Sequence, residues 1–289
     1  MRGARSRQGI IQESQNADSL SCLEKMNHKG TESAEFFSER KIGEGKYRSR
    51  LFGSDCHPLE YNQLSLSFQR KVVKCMRQTI WIARHANRQD FVKPEWFTKT
   101  ANFRYDPPLS KDGFLQAKQL ANRLQNEPIK YIFASPFLRT IQTANAIAEI
   151  LDLSIKLEWG LGEWLNPDWM TMMPETRALE TLTKFYPRID QTYKTTPPHY
   201  PETEAECLKR GGDTAKKLID NYPDNMLLIG HGASVIGATM GLIPNIRPDD
   251  INSKLCCLVK LIHQQGDWVM ELNGDTSHLS QTETNLRFN

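Results

Sequence analysis

From residue 77 onward the apolar residues of this chain fall into two alternating rhythms. Thr79-Ile80-Trp81-Ile82-Ala83 is a short apolar run, continuous rather than alternating, as expected of a strand covered on both faces. A polar loop follows. Phe114, Ala117, Leu120, Ala121 and Leu124 then recur at helical spacing behind Ser110, a residue suited to capping a helix. Tyr131-Ile132-Phe133-Ala134 predicts a second buried strand. Ser135-Pro136 predicts a helix start, with Ser as the cap and Pro at the first helical position, continued by Ile141, Ala144, Ile147, Ala148 and Leu151. Residues 164–203 are irregular, aromatic and proline-containing, which suits an insertion over a pocket. A helix over roughly 203–222 follows, with Ala205, Leu208, Ala215, Leu218 and Ile219 on one face. Buried strands are then expected at Met226-Leu227-Leu228-Ile229 and from Leu255 to Ile262. Strands alternating with helices of this length predict an α/β fold, a three-layer sandwich around a mostly parallel central sheet.

Residues 1–75 break the pattern. They are rich in Ser, Gln, Asn, Glu and Lys, and their apolar pairs, Ile10-Ile11 and Phe36-Phe37, keep no period. Low hydrophobicity without periodicity predicts a disordered or weakly ordered extension, a folded domain over 76–275 and a flexible tail over 276–289. Met76 stands just before the first strand, so a start there would make the upstream segment a dispensable leader.

Composition adds limits. With 289 residues, 39% hydrophobic and 25% charged, the chain has enough apolar content for a core and is not disordered throughout. Its net charge of +3 is unevenly spread: residues 1–75 hold 13 Lys and Arg against 9 Asp and Glu, and the remainder holds 24 against 25. The expected domain is thus near neutral, which argues against a nucleic-acid partner. No run approaches the ~18–20 apolar residues of a bilayer span, and the N-terminus lacks an apolar signal core. Glu13 and Asp18 count against an organelle transit peptide. The cysteines at 22, 56, 75, 207, 256 and 257 form no C-x-x-C pair and no zinc spacing, and Cys256 and Cys257 would face opposite ways on a strand. A reduced, cytoplasmic protein with free thiols is expected.

The chemistry gathers at strand ends. The first strand ends in Arg84-His85-Ala86-Asn87-Arg88, the second in Ser135-Pro136 with Arg139 beyond, the third in Gly230-His231-Gly232. In open α/β sheets ligands bind beyond the carboxyl ends of the strands, so two histidines and three arginines are aimed at one place. Such a site is electropositive and rich in planar donors, which suits phosphate. Each piece alone has a plain structural reading: a lone His at a strand end is usually a satisfied structural residue, and Ser-Pro is usually a cap. An Arg in a helix's first turn opposes the macrodipole unless an anion binds there. Their convergence favours a site.

Arg84-His85-Ala86, Ser135-Pro136-x-x-Arg139-x-x-Gln142-Thr143-Ala144, Gly162-Glu163-Trp164 and Gly230-His231-Gly232, in that order, resemble the histidine phosphatase superfamily, with its phosphoglycerate mutase-like fold, over about residues 77–265. Arg88, Glu163-Trp164, Ile189-Asp190-x-x-Tyr193 and Pro201-Glu202 leading into a helix with Arg210 resemble the branch of the suppressor-of-T-cell-receptor-signalling and ecdysteroid-phosphate phosphatases. The resemblance implies a histidine acid-type phosphatase, a phosphoric monoester hydrolase. His85 would attack phosphorus, giving a phosphohistidine. Arg84 and Arg139 would hold the non-bridging oxygens, a protonated His231 would add a donor, and Arg88 and Gly232 would complete the substrate-binding cradle. Glu163 would act as general acid and base, a role that needs a partly neutral carboxyl. No metal and no cofactor is implied, since guanidinium and imidazolium groups carry the charge.

Alternatives stay open. Asp168 or Glu175 is a rival for the acid. Trp164, Trp169, Met170, Met172 and Met173 are core or lid residues, or an apolar wall for a hydrophobic or aryl leaving group. The family usually has Gly where Ala86 stands and often Glu at Asn87; Ala adds a methyl and loses easy access to positive φ. The expected partner is a phosphorylated small molecule or phosphoprotein, with no nucleic acid or membrane and a homodimer left open. The rival functions are a phosphoglycerate mutase or sugar bisphosphatase of the same fold, and a non-catalytic phosphate-binding scaffold.

Overall fold

The computed structural model describes residues 78–280 apart from 94 and 101. The expectation for residues 1–75 lies outside the described residues, as do residues 281–289 of the expected tail. Within them the elements are β1 (Thr79–Arg84), α1 (Lys111–Leu124), β2 (Tyr131–Ala134), α2 (Leu138–Leu151), β3 (Ile155–Leu157), α3 (Leu179–Phe185), α4 (Glu204–Asn221), β4 (Met226–Gly230), α5 (Gly232–Leu242), β5 (Leu258–Gln264) and β6 (Asp267–Asp275), with single helical turns at Gln89–Val92 and Trp96–Lys99.

The strands form a six-stranded sheet ordered β3-β2-β4-β1-β5-β6. β1, β2, β3 and β4 pair in parallel, while β5 runs antiparallel to β1, and β6 to β5. The continuous apolar runs are buried on both faces, and their alternation sorts them into two cores. Trp81, Ala83, Ile132 and Leu227 face Ala117, Leu120 and Ala121 of α1 and Ala144 and Ile147 of α2. Ile80, Ile82, Phe133 and Leu228 face Ala215 and Leu218 of α4 and Val235 and Ala238 of α5. The predicted three-layer α/β sandwich is therefore present. Among the described residues no helix is long and apolar enough to cross a membrane.

Several local expectations are corrected. Ser110 caps α1 as expected, accepting from the Gly113 amide at 3.1 Å, but Phe114 is half exposed and Gln116 takes a buried place on that helix. α2 begins at Leu138 with Phe137 as its cap, not at Ser135-Pro136, because the Ser135 hydroxyl is engaged by His231. Ala205 of α4 is exposed, and Cys207, Gly211 and Thr214 join Ala215 and Leu218 in the buried stripe. The last predicted strand starts at Leu258: Cys256, in left-handed conformation (φ 54°), and Cys257 lie in the preceding turn, both buried. Residues 164–203 include α3. β3, only three residues long, and β6, an edge strand whose exposure alternates, carry little apolar signal and were not expected.

β4 lies between β1 and β2, and this placement builds the site. The register puts Arg84 opposite Gly230 and Ala134 opposite Ile229. Backbone bonds continue the ladders beyond the strands, from the His85 amide to Gly230 O (3.0 Å) and from the Ser135 amide to Ile229 O (2.9 Å). His85, His231 and Ser135 thus leave the sheet side by side. Behind them α4 and α5 cross at glycines: a Cβ on Gly237 would stand 2.4 Å from Leu208 O, and one on Gly241 2.4 Å from the Gly212 Cα. Gly237→Ala is expected to force these helices apart and destabilise the domain by about 1–3 kcal/mol, measurable by urea denaturation; unchanged stability would show that the crossing tolerates a side chain.

Candidate active site

His85 occupies the first position after β1 and has no exposed surface. Its Nδ1 lies 2.8 Å from Ala86 O, so Nδ1 carries the proton and donates, and Nε2 keeps its lone pair. Nε2 is buried without a hydrogen-bond partner. Burial, then the charges of Arg139, His231 and Arg84, hold the imidazole well below its ordinary value of 6.5, so it is neutral. A neutral ring with a fixed tautomer and a free Nε2 is a nucleophile ready for use.

Around it stand the groups expected from sequence. Arg84 donates from Nη1 to Ser253 O at 2.9 Å, leaving Nε buried and unpartnered. Arg139, the second residue of α2, is fully buried, and its Nη2 lies 3.1 Å from Glu163 Oε2. His231 caps α5; its Nε2 is 2.9 Å from Ser135 Oγ, and its Nδ1 is 3.2 Å from Glu163 Oε2. The His85 and His231 ring centroids are 5.2 Å apart. Gly230 is required just before His231, because a Cβ there would fall 2.3 Å from the Ser234 Oγ that receives the His231 amide. Arg88 lies across the cleft, bound through Nε and Nη2 to both oxygens of Asp90 (2.8 and 2.7 Å), with its guanidinium over the Phe91 ring. Gly232 lines the cleft beside Arg84.

Of the three candidate acids, Glu163 alone joins the cluster; Asp168 and Glu175 are exposed on the loop beyond. Two electrostatic details differ from expectation. Burial raises the Glu163 carboxyl, but His231, Arg139 and Arg88 outweigh it and hold it well below the usual carboxylate range. Burial draws His231 down to about 4 against the pull of Glu163, so the ring takes a proton less readily than expected. In this state Glu163 is the counter-ion of Arg139.

Further residues serve the site without any local sequence signal. Asp106, fully buried, accepts from the Leu138 amide (2.6 Å) and Arg177 Nη1 (2.7 Å) and lies 3.9 Å from Arg139 Nη1. Burial raises its carboxyl to about 6 despite these partners. The departures at Ala86 and Asn87 are accommodated. Ala86 is not among the residues with left-handed backbone, so its methyl brings no strain. Asn87 turns towards α1, donating to Asp112 Oδ2 at 2.6 Å and receiving the Arg88 amide. Ile189, Asp190 and Tyr193 lie away from the cluster: Ile189 packs with Ile141 and Leu182, Asp190 pairs with Lys156, and Tyr193 donates to Glu158 at 2.6 Å.

The cleft above these groups encloses about 220 Å³. Arg84, Arg88 and Glu163 line its base. Phe91, Phe97 and Tyr105 form one wall, and Trp164, Trp169 and Met170 another. Met172 is exposed and Met173 does not line the cleft, so the expected methionine wall reduces to Met170. His85, Glu163 and His231 offer ligand atoms within 4.8 Å of one another, a spacing that a metal ion would accept. The charge there argues against one: a dication would face Arg139 and Arg84 at short range in a buried setting. An anion with several oxygens fits both the charge and the donors.

A model of the histidine phosphatase superfamily (branch 1) matches residues 80–276. The chain belongs to that superfamily. Over 249 residues, 71% of this chain, it is 33% identical to the transcription factor tau 55 kDa subunit of Saccharomyces cerevisiae, of which it covers 57%. It is 29% identical over 158 residues, 49% of this chain, to human ubiquitin-associated and SH3 domain-containing protein A, of which it covers 23%. The chain thus spans little more than half of one curated relative and a quarter of another. It is also 29% identical over 192 residues to a probable phosphoglycerate mutase of Yersinia enterocolitica, covering 60% of this chain and 84% of that one. Among solved structures, ecdysone phosphate phosphatase from Bombyx mori in complex with tungstate matches 73% of this chain and 98% of its own, with a TM-score of 0.58 and 22% identity. This likeness confirms the phosphoglycerate mutase-like fold. The relatives thus include a probable phosphoglycerate mutase, and the matching family model is that of a phosphatase superfamily.

The histidine pKa shifts have a consequence for stability. Both imidazoles are lowered when folded, so below the ordinary value of 6.5 the unfolded chain binds protons that the folded chain refuses. Their contribution is present above that pH and is lost as pH falls towards about 4, the folded His231 value. The melting temperature should therefore drop on acidification from pH 7 to pH 5, and less so for His85→Gln; an identical drop in the variant would contradict the assignment.

Proposed function

We propose that the chain is a phosphomonoesterase acting through phospho-His85. The observation that carries this reading is the neutral, tautomer-fixed His85 with its unpartnered Nε2 between two guanidinium groups. A phosphoryl dianion entering the cradle takes Arg84, Arg139 and the His231 ring as partners. As a like charge beside Glu163 it also raises that carboxyl, which supplies the protonated acid that the free site lacks. Nε2 forms a bond to phosphorus as the ester P–O bond breaks, and Glu163 gives its proton to the leaving oxygen. Water then attacks phosphorus, its proton passes to Glu163, the N–P bond breaks, and neutral His85 returns. The arginines stabilise charge on the equatorial oxygens in both steps, and no metal enters the scheme.

The aromatic walls suit a hydrophobic or aryl alcohol, from a small molecule or a phosphoprotein. They do not suit a mutase reaction, which must hold a second anionic group, because beyond Arg84 and Glu163 of the phosphate site the described charged residues on the lining are Arg88, already paired with Asp90, and Glu204, itself an anion. Likeness to a transcription-factor subunit favours a second reading, a phosphate-binding module within an assembly. The two readings separate in one assay. The wild-type chain should hydrolyse p-nitrophenyl phosphate, with activity retained in EDTA. His85→Ala should abolish it, and Glu163→Gln should lower turnover of esters with poor leaving groups by about 10²–10⁴-fold. Equal rates in wild type and His85→Ala, or none in either, would reject the phosphatase. Turnover that depends on a bisphosphate primer would point to a mutase.

A further inference from the structure

Glu163 stands on the segment 159–165, a short 3₁₀ turn at Trp159–Leu161 followed by extended chain. Its carboxylate meets Arg139, His231 and the Trp164 amide (3.1 Å). The backbone that carries it is held from α4. The Arg210 side chain, only 13% exposed, donates from Nη1 to Trp159 O (3.3 Å), Gly160 O (3.1 Å) and Gly162 O (3.3 Å), and from Nη2 to Glu163 O (3.0 Å). Its remaining edge faces Glu202, with Nε 3.0 Å from Oε2 and Nη2 on Oε1. Glu202 closes the arrangement: its carboxylate accepts the Leu165 amide (3.0 Å) and its carbonyl accepts Trp164 Nε1 (3.0 Å). One guanidinium thus gathers four consecutive-segment carbonyls, including that of Glu163 itself, and one carboxylate orients the guanidinium. Gly162 keeps the approach close, since a Cβ there would stand 2.9 Å from Trp159 O. Among the described residues Arg210 makes no hydrogen bond to His85, Arg84 or Arg139.

We infer that Arg210, oriented by Glu202, is the positioning residue that sets the proton-transfer geometry of Glu163, leaving the phosphate cradle to Arg84, Arg139 and His231; this rests on the acid/base reading of Glu163. A fork that holds four carbonyls at once cannot be replaced by a lysine, whose single ammonium reaches fewer acceptors and fixes no plane. A small displacement of a catalytic group is enough to cost about 10²-fold when the reaction needs that group.

The test compares kcat/KM for p-nitrophenyl phosphate, whose leaving group departs with little help from an acid, with phenyl phosphate, whose leaving group needs a proton. Glu163→Gln is expected to lose far more on phenyl phosphate. Arg210→Lys should follow the same pattern more weakly, about 10–100-fold lower on phenyl phosphate and within about threefold on p-nitrophenyl phosphate. Added to Glu163→Gln it should cost no more than about twofold further, because both changes remove one function. Equal losses on the two substrates, or multiplying losses in the double variant, would overturn the inference and leave Arg210 a general structural residue. Should Arg210→Lys not fold, Glu202→Gln carries the same comparison with the same signs. If Glu163→Gln itself treats both substrates alike, the acid/base reading fails and the inference falls with it, an outcome distinct from a failure of Arg210 alone.

Discussion

Arg139 is a cation with no exposed surface, and much of the site can be read as the arrangement that makes its burial tolerable. A buried charge is acceptable only when opposite charge and hydrogen bonds surround it closely. Glu163 supplies the first, Asp106 a second at longer range, and Tyr105 O accepts from Nη1 at 3.2 Å. The surroundings still draw its guanidinium down to about 10, burial foremost. Asp106 in turn binds the amide at the start of α2 and the side chain of Arg177, so the loop before α1, the start of α2 and the insertion all meet on one buried carboxylate. The same positive field that makes burial costly keeps His85 neutral.

This network divides the labour of the proposed reaction. Residues at the ends of β1 and β4 and at the start of α2 hold phosphate, and they are rigid because the sheet fixes them. The leaving-group side is made of residues from the helical turns after β1 and from the insertion, Phe91, Phe97, Trp164, Trp169 and Met170. Relatives on one fold can therefore differ in substrate while sharing the phosphate chemistry, which fits a superfamily holding both phosphatases and mutases.

The sheet and the phosphate-facing residues were legible in the sequence for a physical reason. Strands buried on both faces read as uninterrupted apolar runs, and polar residues directly after such runs have only one end of the sheet to occupy. Arg84, His85 and His231 are of this kind, and Arg139 lies one short turn beyond β2 at the start of α2. Glu163 was legible only through resemblance, because its position depends on contacts with Arg210, 47 residues away. Asp106 gave no signal, since an Asp in a polar loop looks the same whether it is exposed or buried against two arginines. Ser135 was misread as a helix cap because the composition of a cap and of a hydrogen-bond partner for His231 is identical; only the register of β2 against β4 distinguishes them. β3 and β6 were missed because a three-residue strand and an exposed edge strand bury too little to leave a pattern.

The central claim is that His85 Nε2 becomes bonded to phosphorus. Rapid acid-free quenching of the full chain during turnover of a ³²P-labelled aryl phosphate, followed by mapping of the labelled peptide, tests it directly. The account predicts a label that survives base, is lost in acid and maps to His85, and that is absent in His85→Ala. A label on another residue, or hydrolysis at full rate with no label trapped at any time, would contradict it.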